Sequence, residues 1–122
     1  MKRFLHIPAC GVVLLLAACA SAPTYGPADD EAMAPVRQAH QDCLQTTIQA
    51  LIDGSDDVNF LTQHIVKQCD DTLTPAADYL AKRGFNSYQI GQFMQQQRQI
   101  GADATANVIL RVKAMQNDGS AF

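Results

Sequence analysis

Basic residues are scarce in this chain, with nine lysines and arginines against twelve acids. Alternating apolar runs long enough to build a sheet are absent, which leaves an all-α fold. The longest apolar run, from Phe4 to Ala18, is broken by Pro8. Fifteen residues at ~1.5 Å each fall short of the ~30 Å hydrocarbon core, so this run does not read as a retained membrane helix. No G-x-S-x-G, H-E-x-x-H or P-loop pattern occurs. Ser21, Ser55, Ser87 and Ser120 each lack a neighbouring histidine or a strained elbow. The stretch around Asp53, Gly54, Asp56 and Asp57 fails the calcium-loop pattern, because Ile52 and Ala50 stand where ligands are required. No catalytic residue and no cofactor-binding residue is assigned.

What is present begins at the amino terminus. Lys2 and Arg3, a short apolar middle and a small-residue end describe an export signal. Leu16-Ala17-Ala18-Cys19 resembles the lipobox of bacterial lipoproteins, and all four positions match. The resemblance implies cleavage after residue 18, a diacylglyceryl thioether on Cys19 and acylation of the new amino terminus. Two or more acyl chains anchor stably where one does not. The lipid on Cys19 would be the only covalent cofactor. Ala20 and Ser21 follow the cysteine without aspartate, which in that family implies the periplasmic face of the outer membrane. The competing reading is cleavage before Ser21, giving a soluble periplasmic protein.

From Cys19 onward, seven bases face twelve acids, a net charge of −5. This excludes nucleic acid as the expected partner. The charge is uneven. Residues 29–78 carry ten acids and two bases, whereas residues 82–117 carry five bases and one acid. The two halves are therefore expected to pack against each other.

Residues 19–35 contain Pro23, Gly26, Pro27 and Pro35 and read as a flexible tether. The helical domain is expected over 36–116, with a disordered tail over 117–122. The first helix starts at Pro35. Its stripe is Val36, His40, Cys43, Leu44, Thr47, Ile48 and Leu51, with an end at Asp53-Gly54. The second starts after Ser55 or Asp56, with Val58, Leu61, Ile65 and Cys69 on its stripe. Thr74-Pro75 opens a third, closed by Gly84 with Phe85 folding back. Asn86 or Ser87 caps the rest, where Ile90, Phe93, Met94, Gln97, Ile100, Ala104, Val108, Val112 and Met115 form the apolar stripe. Gly101 and Asp103 leave open whether this is one helix or two. Gly91 marks a possible close helix approach. The expected architecture is a small bundle of four to five helices.

Cys43 and Cys69 form an even pair in an oxidising compartment. An antiparallel hairpin of the first two helices brings them level, so a Cys43–Cys69 disulfide is expected. Cys10 falls in the discarded segment. With His40 and His64 the pair suggests a zinc site, but the hairpin puts the imidazoles several turns apart, so no metal ligand is assigned. The glutamine-rich stretch from Phe93 to Gln99 has two readings. One places Phe93, Met94 and Ile100 in the core with solvated amides. The other is a recognition face.

Three functions fit these observations. The first is a non-enzymatic interaction module, tethered to the membrane and binding another envelope protein. The second is a carrier of a lipid or other apolar ligand. The third, ranked last, is a hydrolase with an unrecognised site. Nothing in the sequence sets the oligomeric state.

Overall fold

The computed structural model describes residues 23–53 and 56–119. The lipobox with Cys19, Cys10, the predicted helix stop at Gly54 and residues 120–122 lie outside the described residues. Among the described residues four helices form: α1 (Pro27–Leu51), α2 (Val58–Gln68), α3 (Thr74–Lys82) and α4 (Ser87–Gly119). A 3₁₀ turn, Asp70–Leu73, joins α2 to α3. No strand occurs among the described residues, so the all-α class is as expected.

The local signals explain most of the boundaries. Asp57 caps α2, its carboxylate accepting from the backbone N–H groups of Asn59 and Phe60. Gly84, at φ +92°, closes α3. There the N–H of Phe85 donates to the carbonyl of Leu80 and that of Gly84 to Ala81, the two bonds of a Schellman motif. Asn86 and Gln89 cap α4 reciprocally, each side chain accepting from the other's backbone N–H.

Two apolar clusters hold the bundle. One gathers Leu44, Ile48, Leu61, Ile65, Cys69 and Ile109. The other gathers Met33, Leu73, Ala76, Leu80 and Met94. Their order along each helix gives the topology. Both α1 and α4 pass from the second cluster to the first, while α2, the 3₁₀ turn and α3 run back between them. The fold is thus a three-limbed bundle whose middle limb is broken at Cys69–Leu73. The core is thin, with eleven buried apolar residues. At ~1.5–3 kcal/mol for a large side chain, the loss of any one is felt.

Four expectations change. The first concerns the tether expected over residues 19–35. Helix α1 begins at Pro27 and carries Pro35 inside it. An internal proline normally breaks a helix, but here the two turns before it are held by the burial of Met33 and Asp29. Second, α4 is one continuous helix through Gly101 and Asp103 and extends to Gly119, into the expected tail.

Third, its buried stripe is Met94, Gly101, Thr105 and Ile109. Ile100, Val108 and Met115 are exposed instead. The helix is rolled because Gly101 must face α1: a Cβ there would lie 3.0 Å from His40 Nε2 and 3.3 Å from Leu44 Cδ1. Gly101 is therefore the close approach, whereas a Cβ on Gly91 would meet nothing within 4 Å. Fourth, the disulfide-linked hairpin of the first two helices is not cleanly formed. Helix α2 lies more against α4 than against α1. The bridge instead joins the middle of α1 to Cys69, the residue that closes α2.

Candidate functional site

The bridge itself is present, with Cys43 and Cys69 Cα atoms 5.8 Å apart. Cys69 is fully buried, and Thr47 Oγ1 lies 3.5 Å from its sulfur. The Cys69 half of the bridge is thus sequestered in the core, with Cys43 half-buried at its edge.

Of the two histidines among the described residues, His40 is buried and His64 exposed. Nδ1 of His40 lies 2.8 Å from Thr72 Oγ1 and 3.2 Å from the Cys69 carbonyl. Thr72 donates its own hydroxyl to that carbonyl at 2.6 Å. A carbonyl only accepts, so Nδ1 carries the hydrogen and the neutral ring leaves Nε2 bare against Gly101. Nε2 has no hydrogen-bond partner. Burial lowers the pKa of His40, opposed by the Cys69 carbonyl and Asp70. His64 stacks on Phe60 and accepts from Gln68 Nε2 at 3.1 Å. Among the described residues, no three histidine, cysteine or acidic side chains are grouped to hold a metal ion.

The acidic and basic halves do meet. Asp70 pairs with Arg98 from the 3₁₀ turn to α4, Lys113 donates to the Asp56 carbonyl, and Asp29 pairs with Arg83. The last is the most enclosed. Asp29 is 2% exposed. It accepts from Arg83 Nε at 2.7 Å and Nη2 at 3.2 Å, from the Tyr79 hydroxyl at 2.8 Å and from the Gly26 N–H at 3.0 Å. Four donors on one carboxylate, Arg83 foremost, hold its pKa far below the usual range. Sequence reasoning missed this network, because Asp29 sat in apparent linker. The signal that could have found it is Gly26-Pro27 with an acid at the third helical position, a helix start rather than a tether.

Beside this network the molecule has its larger groove, about 890 Å³, between the start of α1 and the amino-terminal half of α4. Tyr25, Phe85, Tyr88 and Phe93 supply aromatic surface, and Gln89, Gln92, Gln96 and Gln99 form a row along α4. These glutamines recur at three- and four-residue steps, on one helix face. Tyr25 rests on Phe93 with ring centroids 5.6 Å apart, and its hydroxyl donates to Asp30 at 3.3 Å. Arg37 also donates to Asp30, at 2.9 Å to the carboxylate and 3.1 Å to the backbone carbonyl. Burial first, and the Asp30 carboxylate second, keep the Tyr25 phenol above its ordinary pKa, so it stays a neutral donor. Tyr88 is 74% exposed. The stretch Phe93–Gln99 thus divides: Met94 enters the core, Phe93 forms the groove floor, Ile100 stays outside, and the amides line an open wall.

A second groove of about 600 Å³ runs between α2 and α4 past Thr62, Lys67, Asp70 and Arg98. Of its four charged groups, Asp70 and Arg98 are spent on each other, and Lys67 and Asp71 also line it.

No helix among the described residues is long and apolar enough to cross a membrane. No family model, curated protein or solved structure matches the chain.

Proposed function

We propose that this protein is a lipid-anchored, non-enzymatic interaction module of the bacterial envelope, with the glutamine-rich groove as its binding face. The observation that carries the reading is the groove's lining. Exposed Tyr88 and a row of adaptable amides surround an aromatic floor, and the charges at the rim neutralise each other. Tyrosine is favoured at interfaces because it gives large contact area with a polar tip at little entropic cost. Amides serve as donor and acceptor without a desolvated charge. An acid–base–nucleophile constellation is not assembled there, and both grooves are open clefts rather than the enclosed apolar cavity a lipid carrier needs.

Position supports the same reading. Six residue steps separate Cys19 from Tyr25, which reach at most ~22 Å when fully extended. An anchor on Cys19 therefore holds the groove beside the membrane, at the periplasmic face of the outer membrane by the family resemblance, where a neighbouring envelope protein is met at high local concentration.

Two measurements test this. The intact mass of membrane-extracted protein is expected to equal residues 19–122 plus acyl chains, with two thiols alkylated only after reduction. A photo-crosslinker at Gln92 is expected to give one discrete adduct in intact cells, absent when it is moved to exposed Gln49 on α1. A chain beginning at Ser21, or the same adduct ladder from both positions, overturns the reading.

A further inference from the structure

We infer that the groove takes an extended, uncharged, proline-containing segment of its partner in the polyproline II conformation, an inference that rests on the interaction reading above. Polyproline II has no internal hydrogen bonds, so every carbonyl of such a segment seeks a donor. A surface that recognises it pairs aromatic platforms for the rings with donors for the carbonyls. The groove offers both. Tyr25, Tyr88 and Phe93 are the platforms, and the Nε2 groups of Gln89, Gln92 and Gln96 are the donors.

Three further observations narrow the occupant. The first is charge. Asp30 and Arg37 are spent on each other at 2.9 Å, so the groove offers no unpaired charge to an acidic or basic motif. The second is length. The donors from Gln89 to Gln96 span ~10.5 Å along α4, which matches about three to four polyproline II residues at ~3.1 Å each, and Gln99 beyond them donates to Asp103 instead. The third is a template within the chain. The non-helical segment Pro23–Gly26 already lies on this wall, with Tyr25 on Phe93 and Pro23 alongside Gly84. The tyrosine of a non-helical segment thus already packs on an aromatic ring of this wall, while its proline sits at the closing turn of α3 just outside the groove. A helical partner needs apolar anchors at three- and four-residue steps facing an apolar trough, and here the wall at those steps is amide.

The test uses the lipidated full-length mature chain in detergent micelles. The probe is a capped, uncharged peptide of eight prolines and one tyrosine, with its composition-matched glycine–serine–tyrosine counterpart as control. The proline peptide is expected to bind at least about tenfold more tightly than the control. Tyr88→Ala and Gln96→Ala are each expected to weaken it at least fivefold, and Gln49→Ala to leave it unchanged. Tyr88 and Gln96 are exposed, so both variants are expected to melt as the parent does.

Equal binding of both peptides, no binding at millimolar peptide, or binding that Tyr88→Ala leaves unchanged overturns the inference. Preference for a capped neutral oligosaccharide over the proline peptide overturns it as well. These failures are separable from failure of the interaction reading. A discrete crosslink from Gln92 without proline-peptide binding removes this inference alone. Loss of both removes the reading too.

Discussion

The two ends of the bundle are held by different chemistry. At one end, α1, α2 and α4 close over Leu44, Ile48, Leu61, Ile65 and Ile109, and a disulfide joins α1 to the close of α2. At the other, α1, α3 and α4 close over Met33, Leu80 and Met94, and one buried carboxylate joins the start of α1 to Tyr79 and Arg83. A covalent staple acts mainly on the unfolded chain, by restricting it. A buried carboxylate paired with an exposed arginine acts on the folded chain, and it depends on protonation. The disulfide end is therefore the one that senses reductant, and the Asp29 end the one that senses acid. The groove is built on the Asp29 end, so its Tyr25 wall is only as firm as that carboxylate.

The largest expected effect comes from the staple. Cys43 and Cys69 are 26 residues apart. Replacing both with serine is expected to cost about 3.5 kcal/mol in the chain-entropy model. Thermal melting should show a fall of more than ~10 °C. A fall of only a few degrees would mean that the two apolar clusters hold the bundle without the bridge.

The next effect lies at the other end. Asp29→Asn is expected to lower the melting temperature by less than loss of the bridge, and to loosen the Tyr25 wall. The folded pKa of Asp29 is depressed, so its stabilisation is complete well above the unfolded value of ~3.9 and is lost as the pH falls from about 5 toward 1. Acid titration should therefore release Tyr25 fluorescence changes before global unfolding in the parent. The variant should lack that step. Identical acid profiles would show that the two ends do not differ in the way described.

The seam between the ends is tested by two glycines on one helix. Gly101→Ala is expected to destabilise by ~1–2 kcal/mol, because its Cβ meets His40 and Leu44, which the hydrogen bonds to Thr72 and Cys69 and the buried core hold in place. Gly91→Ala meets nothing and is expected to stabilise by ~0.5–1 kcal/mol through helix propensity alone. Equal signs in urea melts would remove the argument that Gly101 sets the roll of α4. His40 adds a pH signature to the same seam. Its folded pKa is lowered, so its contribution is full above the unfolded ~6.5 and falls as the pH drops through the depressed value. His40→Gln should flatten the fall in stability below about pH 6.5.

The smallest effect is local. Asp57→Ala removes the cap of α2 and is expected to cost about 1 kcal/mol, read as a shift in the urea midpoint at unchanged slope.

Some of this was written in short-range chemistry. The helical class, the Gly84 closure with Phe85 folded back, and the Asn86 start of α4 all depend on residues within a few positions of one another, whereas the cap of α2 falls on Asp57 rather than on the expected Ser55 or Asp56. Local sequence is sufficient for such features because a helix end is satisfied by its own turn. The Cys43–Cys69 pairing was legible as well, since helical spacing puts both on apolar stripes. The groove was legible only in part: the glutamine row stood out in composition, but its aromatic floor and the Tyr25 wall did not. Tyr25 and Phe93 are far apart in sequence, and only the packing of the α1 start on α4 brings them together.

Tertiary structure alone decided three things. It carried α1 unbroken from Pro27 through Pro35, because Asp29 and Met33 gain partners on α3, its closing turn and α4 that outweigh an internal proline. It kept α4 whole through Gly101 and turned Ile100 and Val108 outward, because the buried His40 ring needs a neighbour without a Cβ. It broke the middle limb at Cys69–Leu73, where the Cys69 carbonyl accepts from both Thr72 and His40. Hydrophobic periodicity ranks glycine and threonine below isoleucine and valine, and so pointed to the wrong face of α4 from Ile100 onward, while Ile90, Phe93 and Met94 pack as expected. Close approach between two helices is governed by volume, and volume at a contact is fixed only when the partner is in place.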